Sequence, residues 1–141
     1  MAYDFPKIKL DENGLFGPTS KNHFYYPVAY HNSIAKKKQE KTIWILKKNE
    51  QYEAFRVSDE GEWVCNKSEG LFSVLDNTNV ILDVNEERIS FFPTPKNVSD
   101  PWHGYPVTSY EYDISDELID KWLEDKIIDE RIHLKLLRRQ I

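Results

Sequence analysis

Leu71-Phe72-Ser73-Val74-Leu75, Val80-Ile81-Leu82-Asp83-Val84 and Arg88-Ile89-Ser90-Phe91-Phe92 decide the fold. Each run is short and rich in β-branched or aromatic residues. Asp76-Asn77 and Asn85 separate them, and short apolar runs joined by turn residues are the pattern of antiparallel strands. The connections are too short for parallel crossovers. Working outward, Glu62-Trp63-Val64-Cys65 reads as one more strand, preceded by a turn at residues 58–61. Thr42-Ile43-Trp44-Ile45-Leu46-Lys47 and Tyr52-Glu53-Ala54-Phe55-Arg56-Val57 read as two others. The expectation is an antiparallel β-meander of about five to six strands over residues 42–93. A sheet of that size curls strongly, as in a half-barrel.

Near residue 113 the apolar period changes from two to about 3.6. Ser115-Asp116-Glu117 has a capping hydroxyl followed by acids, a helix start. Leu118, Ile119, Trp122 and Leu123 share one helical face, which makes Trp122 a core residue. Asp129-Glu130 opens a second helix with Ile132, Leu136 and Leu137 on its apolar stripe. Lys135, Arg138 and Arg139 stand at its end, where the helix dipole favours cations. Two short C-terminal helices packed on the sheet define a two-layer α+β fold. Ahead of the sheet, residues 5–10 alternate enough for a short edge strand beside Pro6. Residues 23–31 form an aromatic patch, held extended by Pro27.

The 141 residues match one ordinary domain, with no linker or repeat to divide them, so residues 1–141 are read as a single α+β domain. Cys65 is the only cysteine, which excludes an internal disulfide and any zinc site with two thiolates. No apolar stretch approaches membrane-spanning length and no signal peptide is visible, so the expected location is cytoplasmic, with no membrane partner. The net charge of −5 disfavours nucleic acid and suits a protein partner with a basic surface. The acid clusters at residues 59–62, 85–87 and 113–117 would form part of such a face. The lysine run at residues 36–41 reads as a solvated connection.

Glycine-rich phosphate loops, dinucleotide fingerprints and nucleophile elbows are absent, so no cofactor is expected. His23 and His31 with His103 do not match a metal motif, and no metal is expected. Cys65 lies in a strand without a cationic setting, which argues against a reactive thiolate.

The densest chemistry lies in Ser99-Asp100-Pro101-Trp102-His103-Gly104-Tyr105-Pro106-Val107. Prolines stiffen this segment, and Gly104 offers a kink with positive φ. Asp100, Trp102, His103 and Tyr105, with Tyr25 and Tyr30 of the aromatic patch, are the candidate binding residues, since loops carry function and aromatics anchor interfaces. The leading expectation is a small protein-binding module, of the kind represented by an immunity protein or antitoxin that neutralises a partner. The alternative is a small hydrolase or nuclease with His103 as general acid or base, oriented by Asp100 and assisted by Tyr105.

Overall fold

The computed structural model describes residues 3–27 and 44–141. Four strands follow one another in an open antiparallel sheet of order β1-β2-β3-β4: β1 (Val64–Cys65), β2 (Gly70–Ser73), β3 (Ile89–Pro93) and β4 (Tyr105–Val107). In register, Phe72 faces Phe91 and Leu71 faces Phe92 across β2 and β3, and Phe91 faces Tyr105 across β3 and β4. Three helices accompany the sheet: α1 (Lys48–Glu60), α2 (Asp116–Glu124) and α3 (Glu130–Leu137). The fold is therefore α+β with an antiparallel meander, as the sequence implies.

Among the described residues, five to six strands are not formed, and the sheet does not close. The largest correction is α1, which occupies the segment read as strand at residues 52–57. The physical reason lies in its polar spacing. Arg56 donates to Glu53 three residues earlier and to Glu60 four residues later, both at 2.8 Å, pairings that only a helix allows. Glu50 folds back to accept the Lys47 N–H at 2.8 Å and caps the first turn. Gln51, Tyr52, Ala54, Phe55, Ser58 and Asp59 then bury one broad helical face. The helix stops at Gly61, where a Cβ would lie 2.6 Å from Trp63 Nε1 and 2.8 Å from the Val57 carbonyl.

Two further expected strands shrink to a single contact. Thr42 and Ile43 lie outside the described residues; among the described residues of these two runs, Trp44 and Asp83 form an isolated antiparallel bridge. Residues 5–10 form no strand either. They are held by tertiary bonds, with Tyr3 Oη donating to Glu53 at 2.8 Å and Asn49 Nδ2 donating to the Pro6 carbonyl at 2.9 Å. By contrast β4 lies in the segment read as a proline-punctuated loop. Pro106 is accommodated because β4 is the edge of the sheet.

Both faces of the sheet are covered, giving three layers where two are expected. Adjacent residues of one strand point to opposite cores. Phe72, Val74, Ile89 and Phe91 pack with Leu118, Ile119 and Trp122 of α2 and Ile132 and Leu136 of α3. Leu71 and Phe92 pack with Tyr25, Trp44, Phe55 and Trp102 on the α1 side. A strand buried on both sides reads as a continuous apolar run, which is how Leu71-Phe72 and Phe91-Phe92 appear.

The two C-terminal helices stand close to where the sequence places them. Ser115 Oγ accepts from the Leu118 N–H at 3.3 Å, and Asp129 Oδ1 accepts from the Ile132 N–H at 2.9 Å. Asn77 grips the start of α3 with two bonds of 2.9 Å to Asp129, one to each side of its amide. Among the described residues, no helix is long and apolar enough to cross a membrane.

Candidate functional site

The loop between β3 and β4 is anchored through Trp102 and Gly104. Trp102 is buried at its base, and its backbone donates to the Phe24 carbonyl at 2.7 Å and accepts from the Tyr26 N–H at 2.7 Å. Its ring lies against Phe55 and His23. Tyr25 is fully buried beside it, and its hydroxyl donates to Gln51 Oε1 at 3.0 Å. Burial pushes the Tyr25 phenol far above its ordinary range, so it stays neutral. Trp102 and Tyr25 thus build the site from beneath, Tyr25 presenting no surface of its own and Trp102 little. Tyr105 belongs to the opposite face of the sheet, where its hydroxyl accepts from Tyr112 at 3.2 Å and its ring meets Phe91. Tyr30 and His31 lie outside the described residues.

Gly104 does not supply a left-handed kink; the glycines with positive φ are Gly14 and Gly17. It is required by close approach. A Cβ there would lie 2.2 Å from Phe92 Cδ1 and 2.4 Å from the Phe91 carbonyl. Its own carbonyl accepts from Trp44 Nε1 at 3.0 Å, which ties the loop to the α1-side core. Gly104→Ala is expected to destabilise the fold by roughly 1–3 kcal/mol, as overpacking does. Urea denaturation compared with the native chain reads this directly, and an unchanged midpoint would contradict the packing described.

Two clefts flank the loop, and Asp100 contributes to both. One, of about 530 Å³, is lined by Pro93, Thr94, Lys96, Asn97, Asp100 and His103. His103 Nδ1 is buried there without a hydrogen-bond partner. Desolvation holds the His103 pKa below the ordinary histidine value, which favours the neutral ring at neutral pH. Asp100 shares this cleft with His103 but does not orient it through Nδ1; its Oδ2 accepts from Asn97 Nδ2 at 3.1 Å. The other cleft, also about 530 Å³, is lined by Lys21, Asn22, His23, Ser99 and Asp100.

In that second cleft stands a pairing that lies outside the sequence expectations. His23 Nδ1 faces both oxygens of Asp59, at 2.9 and 3.0 Å. Asp59 is buried at the end of α1 and also accepts from Thr19 Oγ1 at 2.6 Å. A buried carboxylate facing one ring nitrogen fixes the orientation of the imidazole. The pair spans 36 residues in sequence, and its one local signal is the helical reading of α1 that would bury Asp59. His23 and His103 occupy separate clefts. Among the described residues, no three metal-binding side chains come together.

The acid clusters also sort themselves. Asp59 and Glu60 are consumed internally, Glu60 by Arg56 and the Ser20 N–H. Asp113 is paired with Lys67 and Arg139, and these bonds lower its carboxyl pKa, Lys67 first. Residues 116–130 are different. This stretch contains seven acids against two lysines, a net −5 that equals the net charge of the whole chain. Asp116, Glu117, Asp120, Glu124, Asp125, Asp129 and Glu130 are all exposed, while Leu118, Ile119 and Trp122 fill the core behind them. Lys121 turns its ammonium onto the Gly61 carbonyl at 2.9 Å. Asp120 accepts from His133 Nε2, and Asp129 caps α3. The other five carboxylates make no hydrogen bond or ion pair among the described residues.

No protein-family model matches this chain, and neither the curated proteins nor the solved structures give a significant match. Fold and surface together define an α+β protein whose excess charge is concentrated on α2, the turn that follows it and the first residue of α3.

Proposed function

We propose that this chain is a protein-binding module that works in the cytoplasm, folds as a single domain and docks a basic partner on the solvent face of residues 116–130. An immunity protein or antitoxin, which neutralises its partner by covering it, is the concrete form of this reading. The observation that carries it is the localisation of charge. Outside residues 116–130 acids and bases balance in number, so the net negative charge of the chain is the net charge of this one stretch. Complementary fields of this kind speed association and select partners. The helix behind that face is rigidly held by Trp122 and Ile119, so docking carries little ordering cost.

Affinity capture from the native host tests the reading. The native chain should retain a basic protein at low salt. A variant with Asp116→Asn, Glu117→Gln, Glu124→Gln and Asp125→Asn should fail to retain it. Retention of the same protein by both chains would refute the docking face.

A second reading, hydrolysis of an ester or phosphodiester by His103, draws support from the place of this imidazole in the wall of a cleft that Asp100 shares. Under it, His103→Ala should cut turnover of single-stranded RNA or DNA by about 10²–10⁴-fold without loss of folding, the usual contribution of general acid–base catalysis. Native protein with no turnover above buffer would remove this reading.

A further inference from the structure

The end of the 80–84 segment and the turn that follows it hold two carboxyl groups, Asp83 and Glu87, in an uncommon setting. Asp83 is 1% exposed, and its Oδ1 accepts from the Asn85 N–H at 3.0 Å. Its Oδ2 and the Oε2 of Glu87 are both buried, and neither has a partner while both groups are ionised. Glu87 lies within hydrogen-bonding reach of Asp83, and two such carboxyls are costly when both are ionised, because each orphaned oxygen loses its water and the charges repel. A single proton between them satisfies both oxygens at once. Burial first, then the hydrogen bond and charge of Asp83, push the Glu87 carboxyl up to about 7.

Glu87 also forms part of the wall of a cleft of about 420 Å³, together with Arg88, Tyr110, Arg131, Lys135 and Gln140. Arg131 and Lys135 are one turn apart on α3 and take part in no ion pair among the described residues. Arg88 approaches from the turn itself, where its Nη1 donates to the Thr78 carbonyl at 2.9 Å. Glu86 lines the same cleft, and Glu111 adds its charge to the field at Glu87. His133 of α3 is held by Asp120 of α2. Three cations around the opening disfavour a divalent metal ion between the two carboxyls, and they favour an anion.

We propose that this cleft is a proton-linked anion site, in which Arg131 and Lys135, with Arg88, hold a small oxyanion whenever one proton is shared between Asp83 and Glu87. The proton removes a negative charge from the cleft wall. As pH rises through about 7 the proton is lost, Glu87 becomes an anion, and the bound oxyanion is repelled. The site is independent of the acidic docking face.

Sulfate is a suitable probe because it does not titrate in this range. Backbone amide NMR of the full chain, titrated with sulfate against chloride at constant ionic strength, reads the site directly. Saturable shifts are expected at residues 86–88 and 131–135, with affinity weaker at pH near 8.5 than near 5.5, the direction linkage requires, and by about 10-fold or more. Glu87→Gln keeps a neutral hydrogen-bond donor toward Asp83, and its sulfate affinity should be equal at both pH values. Arg131→Ala with Lys135→Ala, both at exposed positions, should lose the binding. A second readout needs no variant: the carboxyl carbon of Glu87 should titrate at higher pH when sulfate is saturating, by reciprocity. Absence of saturable shifts at the lower pH, or an equal pH dependence in Glu87→Gln, would overturn the proposal.

Discussion

Trp122→Ala is expected to lower the stability of the fold by about 3–5 kcal/mol, the range of large core truncations. Trp122 is wholly buried and meets Trp63 edge to face at 5.7 Å. It stands at the centre of the core that joins α2 and α3 to the sheet, beside Leu118, Ile119 and Ile128. Its carbonyl also accepts from Ile127 and Ile128, and so closes the turn that leads into α3. Truncation keeps these backbone bonds but leaves a cavity among the side chains that hold α2 and α3 to the sheet, which loosens both helices together. Chemical denaturation with fluorescence and far-UV circular dichroism measures the loss. A change below about 1 kcal/mol, the level of exposed substitutions, would mean that α2 is not docked as described.

How far the sequence reveals this molecule depends on whether the relevant signal is local. The helices α2 and α3 are readable because Ser115 and Asp129 are caps and the apolar residues behind them repeat at helical spacing. The strands β2 and β3 are readable because their apolar runs are short and bounded by turns. Helix α1 escapes a period-two reading because Tyr52, Ala54 and Phe55 can be counted either way. The Glu53–Arg56–Glu60 ladder is the feature that decides for helix. In a similar way Pro106 masks β4, since a proline in a strand is tolerated only at an edge and edge position is a tertiary property.

The candidate site follows the same division. The loop at residues 94–103 is recognisable from its prolines and mixed chemistry. Which of its side chains reach solvent is decided by the partners they find across the chain. Trp102 is drawn inward by Phe55, and Tyr105 turns toward Tyr112, so only Asp100 and His103 of that set line the clefts. The His23–Asp59 and Asp83–Glu87 pairs depend on folding to acquire their meaning. Asp59 becomes a buried acceptor only when α1 forms, and Asp83 becomes buried only when its turn packs beside Trp44. The acidic face is legible in part: the Asp113-to-Glu117 cluster marks its beginning, but its extent follows only when the outward positions of α2 are known.

The largest expected effect on function belongs to that face. Asp116, Glu117, Glu124 and Asp125 are exposed and uncommitted, so their neutral isosteres should leave the fold intact. If each contributes about 0.5–1 kcal/mol to a complementary interface, the four together change affinity on the order of 100-fold. The loss should lie largely in the association rate and should fade at high salt, where charges beyond a Debye length of about 3 Å are screened at 1 M. The decisive measurement is the dissociation constant of the captured partner for the native chain and for the four-carboxyl variant, each at low and high salt. Docking through residues 116–130 predicts a difference on the order of 100-fold at low salt that collapses at high salt. Equal affinities of two folded proteins at low salt would contradict it.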